Sequence, residues 1–139
     1  MKPSFVAGFA PIVKDVAASK AFWGDGLGIE FGETAPGYWA TDDLPGVRHF
    51  GLWPLSEAAE ACFGTSTWPA DIPEPDASLE LDVASADAVA PAADEMAARG
   101  YRLLVEPKEE PWGQTVARLL SPEGILVGIV HTPWMHDAR

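Results

Sequence analysis

Few side chains in this 139-residue chain have the means to do chemistry. His49, His131 and His136 are its histidines, Cys62 its single cysteine, and its six tryptophans include Trp39, Trp53 and Trp112 in or beside strand-like stretches. Ser78, Glu80 and Asp82 alternate with Leu79, Leu81 and Val83, so the polar three share one strand face. A carboxylate in a semi-enclosed site is costly unless it meets a cation or donors, which makes Glu80 a candidate ligand contact. The competing reading pairs Glu80 with Arg118 and puts Asp82 at the mouth. His49 is open to three roles: lone metal ligand, hydrogen-bonding contact, or satisfied polar group. No spacing links it to His131 or His136. Trp39, Trp53 and Trp112 are the candidates for stacking on a planar ligand, each ring adding ~0.5–1.5 kcal/mol beyond its burial, because Trp23 is needed by the first helix. Trp112 has a competing role in closing a loop or meeting a partner chain. Trp68 and Trp134 lie in proline-flanked segments suited to lids or interfaces.

Other chemistries lack their motifs. The chain has no phosphate-cradling glycine loop, no Cys-x-x-Cys and no Gly-x-Ser-x-Gly elbow. Its net charge of −12 repels phosphate backbones and favours a cationic small molecule, and Arg99 and Arg102 form no basic stripe, so nucleic-acid binding is disfavoured. No apolar run approaches the ~20 residues of a membrane helix and no signal-peptide layout opens the chain, which places the protein in the cytoplasm and off the membrane. The lone Cys62 fits a reducing compartment. The length suits one domain with a core that needs no disulfide or metal staple.

Hydrophobic period and turn chemistry give the elements on which these residues sit. Residues 4–13 read as a strand, with Pro11 arguing for an edge or a bulge. Asp15 caps a helix whose inner face is Val16, Ser19, Trp23 and Leu27, with Phe22 on its border and Gly26 and Gly28 as the stop. Strands over 29–33, 38–41 and 47–53 are separated by Pro36-Gly37 and Pro45-Gly46; in the last, Phe50 and Leu52 face the helix while His49, Gly51 and Trp53 face away. Residues 54–77 form a proline-rich connector with one short helical turn around 56–62. A strand over 79–83 leads to a helix opened by Ser85 and Asp87, with Val89, Ala93 and Met96 inward and Pro91 kinking it or marking its true start. Strands over 101–106, 114–120 and 125–131 complete the chain. Ser121, Pro122 and Gly124 fit a four-residue turn between the last two, and the uncharged 125–130 run implies cover on both faces.

Val13 and Val83 end the opening strand of each half, and Gly28 and Gly100 close each helix. The spacing of about seventy residues marks two copies of one βαβββ unit: module 1 over about 4–53, connector 54–77, module 2 over about 78–131, and a tail 132–139.

On these residues the chain resembles the vicinal oxygen chelate superfamily of glyoxalases, extradiol dioxygenases, fosfomycin-modifying enzymes and bleomycin-resistance proteins. The matching pieces are Ile12-Val13-Lys14-Asp15-Val16 with Ala21-Phe22-Trp23 and Leu27-Gly28, and Trp112-Gly113-Gln114 with Ser121-Pro122-Glu123-Gly124, where Ser121 replaces the usual Asp. The resemblance implies an α+β fold of two βαβββ modules, curved mixed sheets around a concave cavity, helices on the outer face, and a homodimer. It also implies four metal-ligand positions, which fall on Gly8, Ser78, Gly128 and either His49 or Gly51. Zinc sites take at least three side-chain ligands, and glycine offers none. The expectation is therefore a metal-free, cofactor-free protein that binds a cationic aromatic molecule through Trp39, His49, Trp53, Glu80 and Trp112, as in drug or antibiotic sequestration of the bleomycin-resistance kind. The alternative is a lyase, isomerase or dioxygenase with its metal held in another register by His49, Glu80 and a further carboxylate.

Overall fold

A computed structural model describes residues 1–136; the last three residues of the expected tail lie outside the described residues. Eight strands form one curved mixed sheet in the order β2-β3-β4-β1-β5-β8-β7-β6. They are β1 (Phe5–Val13), β2 (Gly32–Ala35), β3 (Tyr38–Thr41), β4 (Phe50–Pro54), β5 (Ala77–Asp82), β6 (Leu103–Glu109), β7 (Thr115–Leu120) and β8 (Leu126–His131). Each half runs 1-4-3-2 outward from its opening strand, and β1 and β5 join the halves antiparallel. The repeat is kept in register: Phe9 pairs with Phe50 in module 1 as Leu79 pairs with Val127 in module 2.

Helix α1 (Val16–Lys20) and α3 (Val89–Ala98) lie on the outer face as expected. Asp15 caps α1 by accepting from Ala18 N at 3.0 Å. Val16 and Trp23 then pack on Val13, Phe50 and Leu52. Here the helical period fails beyond Trp23. Residues Ala21–Gly26 form a π-helical stretch, whose wider turn rotates the succeeding residues away from the sheet, and Leu27 is exposed rather than inward. Over module 2, Val89, Ala92 and Ala93 meet Val83, Ala117, Leu119 and Ile129. Pro91 sits in the first turn of α3, where its missing N–H costs nothing.

Three further expectations need correction. Pro11 is neither at an edge nor at a bulge, because β1 is central and its register shift lies between Val6 and Gly8. Pro11 instead falls between the Phe9–Phe50 and Ile12–Trp53 pairs, where the β4 side of the ladder is interrupted and no amide is needed. The second and fourth strands start three residues late, so His49 stands just ahead of β4. The connector holds a full helix, α2 (Leu55–Phe63), ended by Gly64 in the left-handed region.

That helix lies on the concave side. Ala58 and Ala59, with Trp68 and Ile72 from the following loop, cover Leu126, Ile12, Trp53 and Leu120. Burying side chains as large as Leu126 and Trp68 is worth roughly 1.5–3 kcal/mol each. The opposite end of the concave face is filled by Ala7, Val116 and Val130, with Phe5 and Met135 against them. β8 is thus covered on both sides, Ile129 by α3 and Leu126 by α2. Between the two inner clusters the face stays open.

Candidate functional site

A cavity of about 480 Å³ occupies that gap. Its floor is a row across three central strands, in which Gly8 pairs with Glu80 and Glu80 with Gly128. Both glycines leave room for the glutamate: a Cβ at Gly128 would stand 3.2 Å from Glu80 Cγ, and one at Gly8 3.7 Å from its Oε1. Gln114 Nε2 donates to Glu80 Oε1 at 3.3 Å and to Thr132 Oγ1 at 2.8 Å, while Gln114 Oε1 accepts from Trp112 Nε1 at 3.1 Å. Gln114 therefore ties the anionic floor to the tryptophan at the rim.

The module 1 wall is a hydrogen-bonded chain. His49 Nδ1 lies 2.6 Å from Asp42 Oδ1, and Tyr38 Oη lies 2.6 Å from His49 Nε2. A carboxylate can only accept, so Nδ1 carries the proton, and in the neutral imidazole Nε2 accepts from the phenol. Burial, then the negative charges of Glu80, Asp42 and Glu57, push the Tyr38 phenol far above its ordinary value, which keeps the hydroxyl protonated. Tyr38 lies directly over Gly51, where an added Cβ would come within 2.1 Å of the phenol oxygen. Glu57 of α2 also borders the cavity, its carboxyl raised by burial and by Glu60.

Arg118 forms part of the module 2 wall with its side chain only 3% exposed. It meets Glu110 at 3.5 Å and stands 5.5 Å from the Trp53 ring, and its Nε is the one buried side-chain polar atom without a hydrogen bond among the described residues. It does not pair with Glu80, and Asp82 is fully buried instead of at the mouth.

His49, Trp53, Glu80 and Trp112 thus line one cavity. Trp39 does not. It pairs with Leu52, shares its outward direction, and packs by α1 with Lys20 Nζ 4.3 Å from its ring centroid. Trp134, expected in a lid or an interface, belongs to the wall, and Trp68 is a buried plug whose Nε1 donates to Ile72 O at 3.0 Å. Tyr38, Asp42, Gln114 and Arg118 are site residues that sequence reasoning missed. Only Gly51, a glycine facing away from the helix, hints that a ring crosses that place.

Register settles the fourth family position. Because Phe50 matches Val127, Gly51 is the module 1 equivalent of Gly128. The family model of the Glyoxalase/Bleomycin resistance protein/Dioxygenase superfamily matches residues 8–129. The chain belongs to this superfamily. No curated protein matches the glyoxalase-superfamily chain. Among solved structures, it is similar to a superfamily member from Vibrio splendidus 12B01, with 21% identity, TM-score 0.58 and coverage of 91% of this chain and 97% of that one. A methylmalonyl-CoA epimerase variant from Streptomyces coelicolor, in complex with 2-nitronate-propionyl-CoA, gives 16% identity, TM-score 0.55 and coverage of 95% and 99%. A protein from Legionella pneumophila described as an NAD-dependent benzaldehyde dehydrogenase gives 18%, 0.56, 89% and 96%. At these identities the likeness shows the fold, and one fold hosts many chemistries.

The superfamily's divalent metal would need donors at Gly8, Gly51, Ser78 and Gly128. Three of these have no side-chain donor at all, so these residues do not fit that ion. Among the described residues, no helix is long and apolar enough to cross a membrane.

Proposed function

We propose that this glyoxalase-superfamily chain is a small-molecule-binding protein that works without the superfamily metal, sequestering a cationic aromatic compound of the drug or antibiotic kind. The observation that carries this reading is the replacement of the metal-ligand set by Gly8, Gly51, Ser78 and Gly128, with the Glu80 carboxylate standing in the space two of them leave. Glu80 is the counter-charge for a ligand cation, and Trp53, Trp112 and Trp134 offer ring faces. The cavity volume lies in the range of about 300–1,000 Å³ typical of drug-sized sites. A homodimer in the cytoplasm is part of the proposal; light scattering on the eluting protein checks the dimer.

Proflavine, a cationic acridine, tests the binding, with anionic anilinonaphthalene sulfonate as the charge-reversed control. Proflavine should quench tryptophan fluorescence saturably and be recovered unchanged. Glu80→Gln should weaken it about 10- to 100-fold, since a charge-assisted contact contributes ~1.5–3 kcal/mol. Equal binding of both dyes, or indifference to Glu80→Gln and Trp53→Ala, would sink the proposal.

One observation favours an enzyme instead. The Asp42–His49–Tyr38 chain has the form of an oriented acid–base group. Such an enzyme would also be metal-independent at this place, because both ring nitrogens of His49 are already engaged. Ligand turnover that disappears in His49→Ala would favour this second reading.

A further inference from the structure

The cavity end opposite α2 is closed by a short turn, Pro133–Met135, which brings Trp134 and Met135 into the wall. What holds that turn is a cluster outside the cavity lining. Asp82, at the end of β5, is fully buried. Its Oδ2 accepts from Thr132 N at 2.9 Å, and its Oδ1 meets His136 Nε2 in a very short contact. His131 Nδ1 lies 3.7 Å from the same Oδ1, and the two imidazole centroids are 4.4 Å apart. One ligand atom from each of the three residues lies within 4.8 Å of the others.

A carboxylate removed from water requires a positive partner, and the two imidazoles are the only ion-pair partners of Asp82 among the described residues. Arg48, close by, is otherwise engaged: it donates to Met135 O at 2.9 Å and lies 4.1 Å from the Phe5 ring centroid. His131 contributes a second pointer. A backbone carbonyl cannot donate, so His131 Nδ1 donates to Val83 O at 2.8 Å, which fixes the ring and, in the neutral imidazole, leaves Nε2 as the nitrogen able to ligate. Metal-binding histidines are oriented by this kind of bond, with one ring N–H fixed on a carbonyl and the other nitrogen free to ligate. Two imidazoles and one carboxylate suit a borderline transition ion, with water completing the shell.

We propose that Asp82, His131 and His136 bind a divalent transition-metal ion such as Zn²⁺, which fastens the C-terminal turn and with it the Trp134 and Met135 side of the cavity. The site is independent of the binding reading above and uses none of the superfamily's ligand positions, although Asp82 and His131 follow Ser78 and Gly128 on the same two strands.

The test uses the full, untagged chain stripped with chelator, titrated calorimetrically with Zn²⁺ and spectroscopically with Co²⁺. A single equivalent should bind, raise the melting temperature and give the intense visible bands of low-coordinate Co²⁺. His131→Ala and His136→Ala should each lose more than the 10- to 100-fold in affinity typical of removing a group that only supports a ligand, and the melting shift with it. His136 is partly exposed, so His136→Ala keeps the fold within reach, and its metal-free melting curve checks this. His49→Ala should bind metal like the parent. Absence of Co²⁺ bands, or affinity unmoved by both His131→Ala and His136→Ala, overturns the proposal. Loss of metal in His49→Ala and Glu80→Gln alone does so too, placing the ion on the cavity floor and overturning the metal-independent reading instead.

Discussion

Gly51 and Gly128 stand at equivalent places in the two modules, paired with Ala40 and Arg118 respectively. The room each glycine leaves is filled differently. In module 1 the Tyr38 phenol crosses Gly51 and ends on His49; in module 2 the Glu80 chain passes Gly128, with Arg118 beyond it. The outer faces differ as well, since α3 packs regularly on its half while the π-helical stretch after α1 leaves Phe22 and Leu27 exposed. Backbone pairing is what the repeat preserves, because hydrogen-bond register constrains every residue of a strand. Side chains projecting into the cavity carry no such constraint, so one half could acquire an Asp–His–Tyr hydrogen-bonded chain and the other a buried pair of opposite charges.

The charges should give the largest effect. Arg118 and Glu110 are both nearly buried, and breaking such a pair leaves an uncompensated charge that costs ~3–5 kcal/mol. Urea unfolding of Glu110→Gln should show a loss near that range, with Arg118→Met costing less because Glu110 keeps a second cation, Lys108 Nζ at 3.5 Å. A Glu110→Gln cost below about 1 kcal/mol would mean that water reaches Arg118 through the cavity, and the contrast between a buried ion pair and a hydrogen-bonded chain would fail.

The matched glycines come next. Gly51→Ala drives a methyl to within 2.1 Å of the Tyr38 hydroxyl and 2.6 Å of its Cζ, an overlap that must displace the ring and break its bond to His49. Overpacking of this sort costs ~1–3 kcal/mol. Gly128→Ala meets Glu80 Cγ at 3.2 Å and Val130 Cγ1 at 3.3 Å, contacts that small adjustments relieve, and should cost under about 1 kcal/mol. Equal losses in the two unfolding curves would show that the halves are not filled as differently as their side chains suggest.

Much of the frame was legible because its signals are local. The Ser121–Gly124 turn forms as its residue types demand, with Gly124 N donating to Ser121 O and Ile125 N to Ser121 Oγ. The two valine-ended strands and two glycine-closed helices announced the repeat. Trp39 was misplaced because alternation in a four-residue strand separates two faces without saying which is inside; its pairing with Leu52 decides that. Leu27 was misplaced because a 3.6-residue period cannot foresee a π-helical stretch. The helix α2 was underestimated because Pro54 and Pro69 flank it, yet Pro54 sits at its N-cap and not within it. The Asp42–His49–Tyr38 chain spans the β3–β4 hairpin, and His49 meets partners seven and eleven residues away through tertiary structure that no motif spacing encodes.

Tyr38 offers the smallest effect and the most specific one. Its folded pKa is raised, first by burial and then by Glu80, Asp42 and Glu57, so the folded protein holds the phenolic proton after the unfolded chain has lost it near pH ~10. Protonated Tyr38 therefore contributes its full stability below about pH 10, and that contribution declines as pH rises above the unfolded value toward the folded one. At neutral pH Tyr38→Phe should cost only ~1 kcal/mol, the net worth of one hydrogen bond. Above about pH 10 the parent should lose stability faster than the variant, until the gap between them closes. The chain has two tyrosines, so the phenolate absorbance gained up to about pH 11 should be the same in both proteins if Tyr38 is held neutral. If Tyr38→Phe instead halves that signal, the phenol ionises as freely as in water. The module 1 wall would then be an open, wet surface instead of the closed counterpart of the charged half.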